Sequence, residues 1–223
     1  MLRKRLTAFV TAIALCLTGA ALAPASSMAL DPILFVHGWN GSASNWSTMI
    51  GRFEKDGYPK SYLSAYTYNS STSNKTLAET EVKSHVESLL KATGATKVDI
   101  IAHSMGSLNS RWYVKFVSGG QEKVDDWVSL GGPNHGTTAA NICFSTTCVE
   151  MRPGSTFLNE LNAGDETPGT VNYGTWWSPN DEFINPDESV ILSGATNTKT
   201  ASISHLALIS DETVYEQVRE FVK

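Results

Sequence analysis

Three stretches hold residues that together could supply a nucleophile, an anion binder and a proton carrier. In the first, "AHSMG" (102–106), a serine lies between the apolar run "VDII" and a helical pattern beginning at Met105. A serine on a tight strand-to-helix turn presents its hydroxyl as a nucleophile elbow, and the residue two before it must be small because the helix folds back over the strand. Ala102 stands where glycine is usual and adds one methyl, while Gly106 is kept where the helix backbone has to come closest to the strand. The alternative for Ser104 is a plain helix N-cap, an ordinary use of serine after a strand.

The second stretch, "HGWNG" (37–41), directly follows the first apolar run and fits the H-G-x-x-G pattern of an oxyanion loop. With an elbow, the anion would meet the amide after the nucleophile and one from this loop, here Met105 and Trp39. Only their backbones are implicated, and His37 is expected to fix the loop.

A serine hydroxyl needs a base, and the chain offers His37, His85, His103, His135 and His205. In a strand-turn-helix nucleophile fold the order is serine, then acid, then histidine, each in a loop after a late strand. His85 is expected on the exposed side of a helix, His103 is inside the elbow, and His135 leaves no acid-bearing strand between itself and Ser104. His205, after "VILSG" and before the last helix, is the expected base. For the acid, "SPNDEFINPDES" offers Asp181, with Glu182, Asp187 and Glu188 as competitors. Asp181 comes soonest after the strand and precedes an apolar pair.

The elements that must position these groups read as repeated strand-helix units. Strands are expected at 33–38, 62–68, around 98–103, in "DDWVSLGG", at 171–177 and at 190–194. Helices are expected near 45–55, over 74–94 with a capping-box-like Thr76 and Glu79, after Ser104, after a Ser155 cap, and in "DETVYEQVREFV". Such alternation implies one mostly parallel, doubly wound sheet with helices on both faces. Trp39, Trp46, Trp176 and Trp177 fall near loops at the end where the chemistry gathers; they would form either an apolar rim or part of the core.

Residues 1–29 read as a secretory signal: Arg3, Lys4 and Arg5 precede an apolar run and then small residues, with cleavage expected after Ala29 or, less well, after Ala23. Residues 30–223 then form a single expected domain with 14 basic and 22 acidic residues, a formal charge of −8. An acidic chain without a Lys/Arg cluster argues against nucleic acid as a partner. Cys16 would leave with the signal, and the remaining Cys143 and Cys148, exported, are expected to form a disulfide rather than a metal site with His135.

Together "PILFVHGWNG", "VDIIAHSMGSLNSRWYVKF", "VSLGGPNHGT", "SPNDEFINP" and "SHLAL" resemble the small secreted bacterial lipases of the class 2 lipase family, which share the alanine before the elbow. The resemblance runs from about Asp31 onward, is weaker over 132–170, and implies an α/β-hydrolase fold with a triad of Ser104, Asp181 and His205. It further implies oxyanion amides at Trp39 and Met105 and activity on acylglycerols and other carboxylic esters. The chemistry itself requires no cofactor, and the chain is expected to be a monomer without a metal site, meeting its ester substrate at a lipid–water interface without stable membrane insertion. Any lid would lie in 132–170 and be small. The competing functions are a short-chain carboxylesterase, an acyltransferase, and a non-catalytic binding module on the same scaffold.

Overall fold

Six segments of three to seven residues become the strands of one sheet in the computed structural model, which describes residues 30–223; the expected signal and Cys16 lie outside the described residues. The strands are β1 (Ile33–Val36), β2 (Leu63–Ala65), β3 (Val98–His103), β4 (Val124–Leu130), β5 (Asn172–Trp177) and β6 (Thr196–Lys199), in the order β2-β1-β3-β4-β5-β6. All neighbours run parallel. Every side chain of β1 and β3 is buried, as continuous apolar runs in a sheet covered on both faces require.

The helical segments among the described residues are α1 (Ser47–Lys55), α2 (Asn74–Leu77), α3 (Lys83–Thr93), α4 (Met105–Phe116), α5 (Gly120–Lys123), α6 (Thr146–Glu150), α7 (Thr156–Asn162) and α8 (Glu212–Phe221). One face of the sheet packs on α1 and α8 through Met49, Phe53, Val214 and Val218. The other packs on α3, α4 and α7 through Val86, Leu108, Phe157 and Leu161. Most of 132–170 is therefore bound into the molecule: Phe157 of α7 stacks on Trp112 of α4 with ring centroids 5.2 Å apart.

Two expectations are corrected. The helix around 74–94 starts at Asn74 as expected, but its cap is Ser73 and not Thr76, because Ser73 Oγ accepts the Thr76 N–H; a π-helical turn (Ala78–Val82) joins α2 to α3, which Gly94 ends at φ +74°. No strand forms at 190–194. Val190 and Leu192 are buried there without sheet pairing, and the chain joins the sheet only at Thr196. An apolar run signals burial and not pairing, while the true strand, "TNTK", is the polar edge that discourages further strand addition.

Candidate active site

Strand order reverses between β1 and β3, and in an open parallel sheet the crevice outside the carboxyl ends at that point is the natural place for a ligand. The elbow follows β3 there and the H-G-x-x-G loop follows β1. Ser104 has φ 54° and ψ −129°, a conformation costing about 1–3 kcal/mol for a residue with a side chain. Its N–H donates to Leu130 O at 2.9 Å, and its side chain makes no capping bond, so the hydroxyl is not used as an N-cap. A Cβ on Gly106 would come within 2.5 Å of the Val36 and His37 carbonyl oxygens. The close approach that demands glycine is thus between α4 and β1, the neighbour of the strand the helix follows.

Gly38 is as tightly placed: a Cβ there would lie 2.8 Å from Ser104 Cβ. His37 secures the loop behind it. Its Nδ1–H donates to Gly38 O at 2.7 Å, its Nε2 accepts the Tyr68 N–H at 3.2 Å, and its ring stacks on Tyr68 at 4.0 Å. Tyr68 Oη also donates to His37 O at 2.5 Å. Burial pushes the His37 imidazole below its ordinary pKa, which keeps this fixing role neutral. The backbone amides of Trp39 and Met105 find no acceptor in the loop and turn hydrogen bonds among the described residues.

His205 opens a 3-10 turn (His205–Ile209) and Asp181 lies in the loop after β5. His205 Nδ1–H donates to Asp181 Oδ2 at 2.7 Å, and the other carboxylate oxygen, Oδ1, accepts the N–H groups of Phe183 and Ile184 at 2.9 Å each. Both side chains are buried, so the pair is held where its hydrogen bonds are strong and its geometry fixed. Of the competing carboxylates, Glu182 accepts the backbone N–H of His205 at 3.0 Å. Asp187 and Glu188 open a separate 3-10 turn (Asp187–Val190) and make no hydrogen bond to His205.

Several supports had no clear signal in the sequence. His103 Nε2–H donates to His205 O at 3.1 Å with the two rings 4.5 Å apart, and burial lowers the His103 pKa well below the usual value. Ser178 Oγ accepts from Ile203 N at 3.0 Å and Asn180 N at 3.2 Å and donates to Ile203 O at 2.5 Å, joining the loop of the acid to that of the histidine. Gly131, at φ +58°, lies under the pair: a Cβ would fall 3.1 Å from both Asp181 Oδ2 and His205 Nδ1.

The remaining histidines are engaged elsewhere. His85 is half-buried with its ring stacked on Tyr66 at 3.9 Å, correcting its expected exposure, and His135 Nε2 is 2.7 Å from Glu166 Oε1.

Ser104, His205 and Gly38 share the wall of a cavity of about 540 Å³ whose lining includes no Lys, Arg, Asp or Glu. The tryptophans divide. Trp46, Trp176 and Trp177 are core, and only Trp39, 42% exposed, reaches the mouth. Cys143, bonded to Cys148, also lines it. An acidic trio, Asp31, Asp99 and Asp125, has oxygens within 4.8 Å of one another; it sits around the amino ends of β1, β3 and β4, away from this cavity.

A sequence model described as lipase (class 2) matches residues 30–222. Among solved structures, the mature Bacillus licheniformis lipase BlEst2 is similar at TM-score 0.77 and 16% identity, over 91% of this chain and 96% of that one. Aspergillus fumigatus lipase B is similar at TM-score 0.71 and 17% identity over 83% of this chain, which spans 51% of that protein. The α/β-hydrolase MGS-MChE2 from a metagenome of lagoon sediments in Morocco is similar at TM-score 0.60 and 17% identity, over 86% of this chain and 90% of that one.

Proposed function

The chain belongs to the class 2 lipase family, and from that premise we propose that it is a secreted serine ester hydrolase acting on acylglycerols through Ser104, His205 and Asp181. The observation that carries the reading is a buried His205–Asp181 pair whose histidine lines the same uncharged cavity as a serine held at φ 54°.

In this reading Ser104 Oγ attacks the ester carbonyl while His205 Nε2 takes its proton. Asp181 holds the imidazole by Nδ1 and stabilises the imidazolium without itself taking the proton. The Trp39 and Met105 amides meet the developing oxyanion, each worth about 3 kcal/mol of barrier. The imidazolium returns its proton to the leaving alcohol, and water, deprotonated by the same nitrogen, releases the acyl group. This chemistry needs no metal or cofactor. Water as acceptor makes the protein a hydrolase; a bound alcohol in its place would make it an acyltransferase.

The test compares residues 30–223 with the Ser104→Ala variant on tributyrin and triolein emulsions. Hydrolysis of both, lost in the variant, is expected. Hydrolysis of tributyrin alone would make the protein a short-chain esterase, and activity surviving in the variant would overturn the assignment of Ser104. Failure of a serine-directed phosphonate to label the protein would leave a binding module.

A further inference from the structure

Asn109, in the second turn of α4, is buried four residues after Met105, whose amide is one of the two candidate oxyanion donors. Its Nδ2 lies 3.3 Å from Tyr68 Oη, 3.4 Å from Asn74 Oδ1 and 3.4 Å from Met105 O. Tyr68 Oη in turn donates to His37 O, and Asn74 gives both its Nδ2–H and its backbone N–H to Glu150 Oε2 at 2.8 Å each. Side chains far apart in sequence thus make one row from the loop after β1, past α4, to the end of α6. Tyr68, Asn74 and Asn109 are all buried, and polar groups in such a place are costly unless they bond to one another.

The row has a direction. His37 O and Glu150 Oε2 act as acceptors, so Tyr68 spends its single proton on the first and Asn74 an amide hydrogen on the second. Tyr68 Oη and Asn74 Oδ1 are then left to accept, and only a group with two hydrogens to give fits between them, which is the Asn109 amide. A leucine there would leave both acceptors without a donor. The requirement is chemical and not one of packing alone.

The row ends on the support of the other candidate donor, the Trp39 amide. His37 O is caught between the Tyr68 hydroxyl and Gly106 of α4, where a Cβ would lie 2.5 Å from it. The Tyr68 ring stacks on His37 and its backbone N–H occupies His37 Nε2, which leaves the imidazole proton on Nδ1, donated to Gly38 O. Gly41 N–H reaches the same oxygen at 3.1 Å. The peptide joining Gly38 to Trp39 is planar and trans, so fixing Gly38 O fixes the Trp39 N–H on the opposite side. Asn109 therefore touches the supports of both donors, Met105 O directly and the loop through Tyr68.

We propose that Asn109 is a positioning residue for the oxyanion hole, acting through Tyr68 to hold the Trp39 amide in register with the Met105 amide. The proposal rests on the ester-hydrolase reading, which gives the two amides a developing charge to meet. Preorganised donors accelerate a reaction only when aimed at that charge. A loop that drifts from its register loses binding of the transition state, while the ground-state ester, held by the uncharged cavity, binds as before.

The experiment compares Tyr68→Phe, Asn109→Leu and the double variant with the parent protein on p-nitrophenyl butyrate. It also measures inhibition by an alkyl trifluoromethyl ketone, whose adduct with Ser104 carries the oxyanion. Each single substitution should lower kcat about tenfold to a hundredfold, short of the ~10²–10³ that loss of a whole donor costs, with KM little changed. The ketone should be weakened by the same factor. The double variant should be no worse than the poorer single one, because both act along one row of contacts. Ser110→Ala controls for a merely structural role: it removes the acceptor of Trp127 Nε1–H from the neighbouring position of α4, and should lower Tm while leaving kcat per folded molecule intact. Tyr68→Phe keeps the ring on His37 and removes one oxygen, so it decides the matter should Asn109→Leu fold poorly. Unchanged kcat in Tyr68→Phe, losses that multiply in the double variant, or a rise in KM in place of a fall in kcat would overturn the proposal. A parent protein that neither hydrolyses the ester nor binds the ketone would remove the hydrolase reading and the proposal with it, whereas an active parent with indifferent variants removes the proposal alone.

Discussion

Asp181 and Glu182 show how adjacent residues of like chemistry receive different work from the backbone. Asp181 binds the ring of His205 and Glu182 its main-chain N–H, so one carboxylate orients the imidazole and the other anchors the turn that carries it. Asp181→Asn should lower kcat about ten-thousandfold by favouring the wrong tautomer, with little change in KM for p-nitrophenyl butyrate; a loss below tenfold would move the acid elsewhere. Gly131→Ala tests the space beneath the pair. The new Cβ would meet Leu208 Cδ1 at 2.8 Å and must take φ +58°, so a loss of about 1–3 kcal/mol in denaturant unfolding is expected, together with a fall in kcat. Choosing among four carboxylates rested in the sequence on distance from the preceding strand, the apolar pair that follows Asp181, and the family resemblance. The supports His103, Ser178 and Gly131 were hidden because their partners lie far along the chain or are backbone atoms.

At the scale of elements, the loops after β5 and β6 act as one unit because Ser178 joins them. Ser178→Ala removes an oxygen that three backbone groups use, the N–H and C=O of Ile203 and the N–H of Asn180; stopped-flow measurement of the acyl-enzyme burst should show slower acylation, with secondary structure by circular dichroism unchanged. Helix α8 gives a simpler case. Asp211 accepts the Val214 N–H at 3.0 Å, and Asp211→Ala should cost about 1 kcal/mol of stability, as loss of an N-cap does, with activity per folded molecule retained. The repeated strand-helix units were legible because buried parallel strands are apolar throughout, and the elbow because its small residues are dictated by steric contact. The edge strand was not, since Thr196, Asn197 and Lys199 have no face to bury and their pairing is made by the backbone.

Across the whole molecule, the candidate site and an acidic cluster lie at opposite ends of the sheet. Near the amino ends of the strands, burial first and then neighbouring carboxylates push Asp99 well above the usual range; for Asp126 burial leads, and its pKa is raised to about 6. A carboxyl with a folded-state pKa above its unfolded value binds its proton more tightly in the native state, so stability falls as pH rises from about 4 through 6. Asp126→Asn, which keeps an oxygen for the Asn172 amide now bonded to Asp126 Oδ1, should therefore raise Tm at pH 7 and lose that advantage near pH 4. A gain of equal size at both pH values would contradict this account.

The opposite end has a consequence for what leaves it. Hydrolysis turns a neutral ester into a fatty carboxylate, and the cavity lining offers that anion no Lys or Arg to rest against, in a chain whose described residues are already net acidic. On the proposed ester-hydrolase reading, the product would find no ion pair in the cavity to hold it. Added oleate should therefore inhibit poorly, and turnover should depend little on ionic strength.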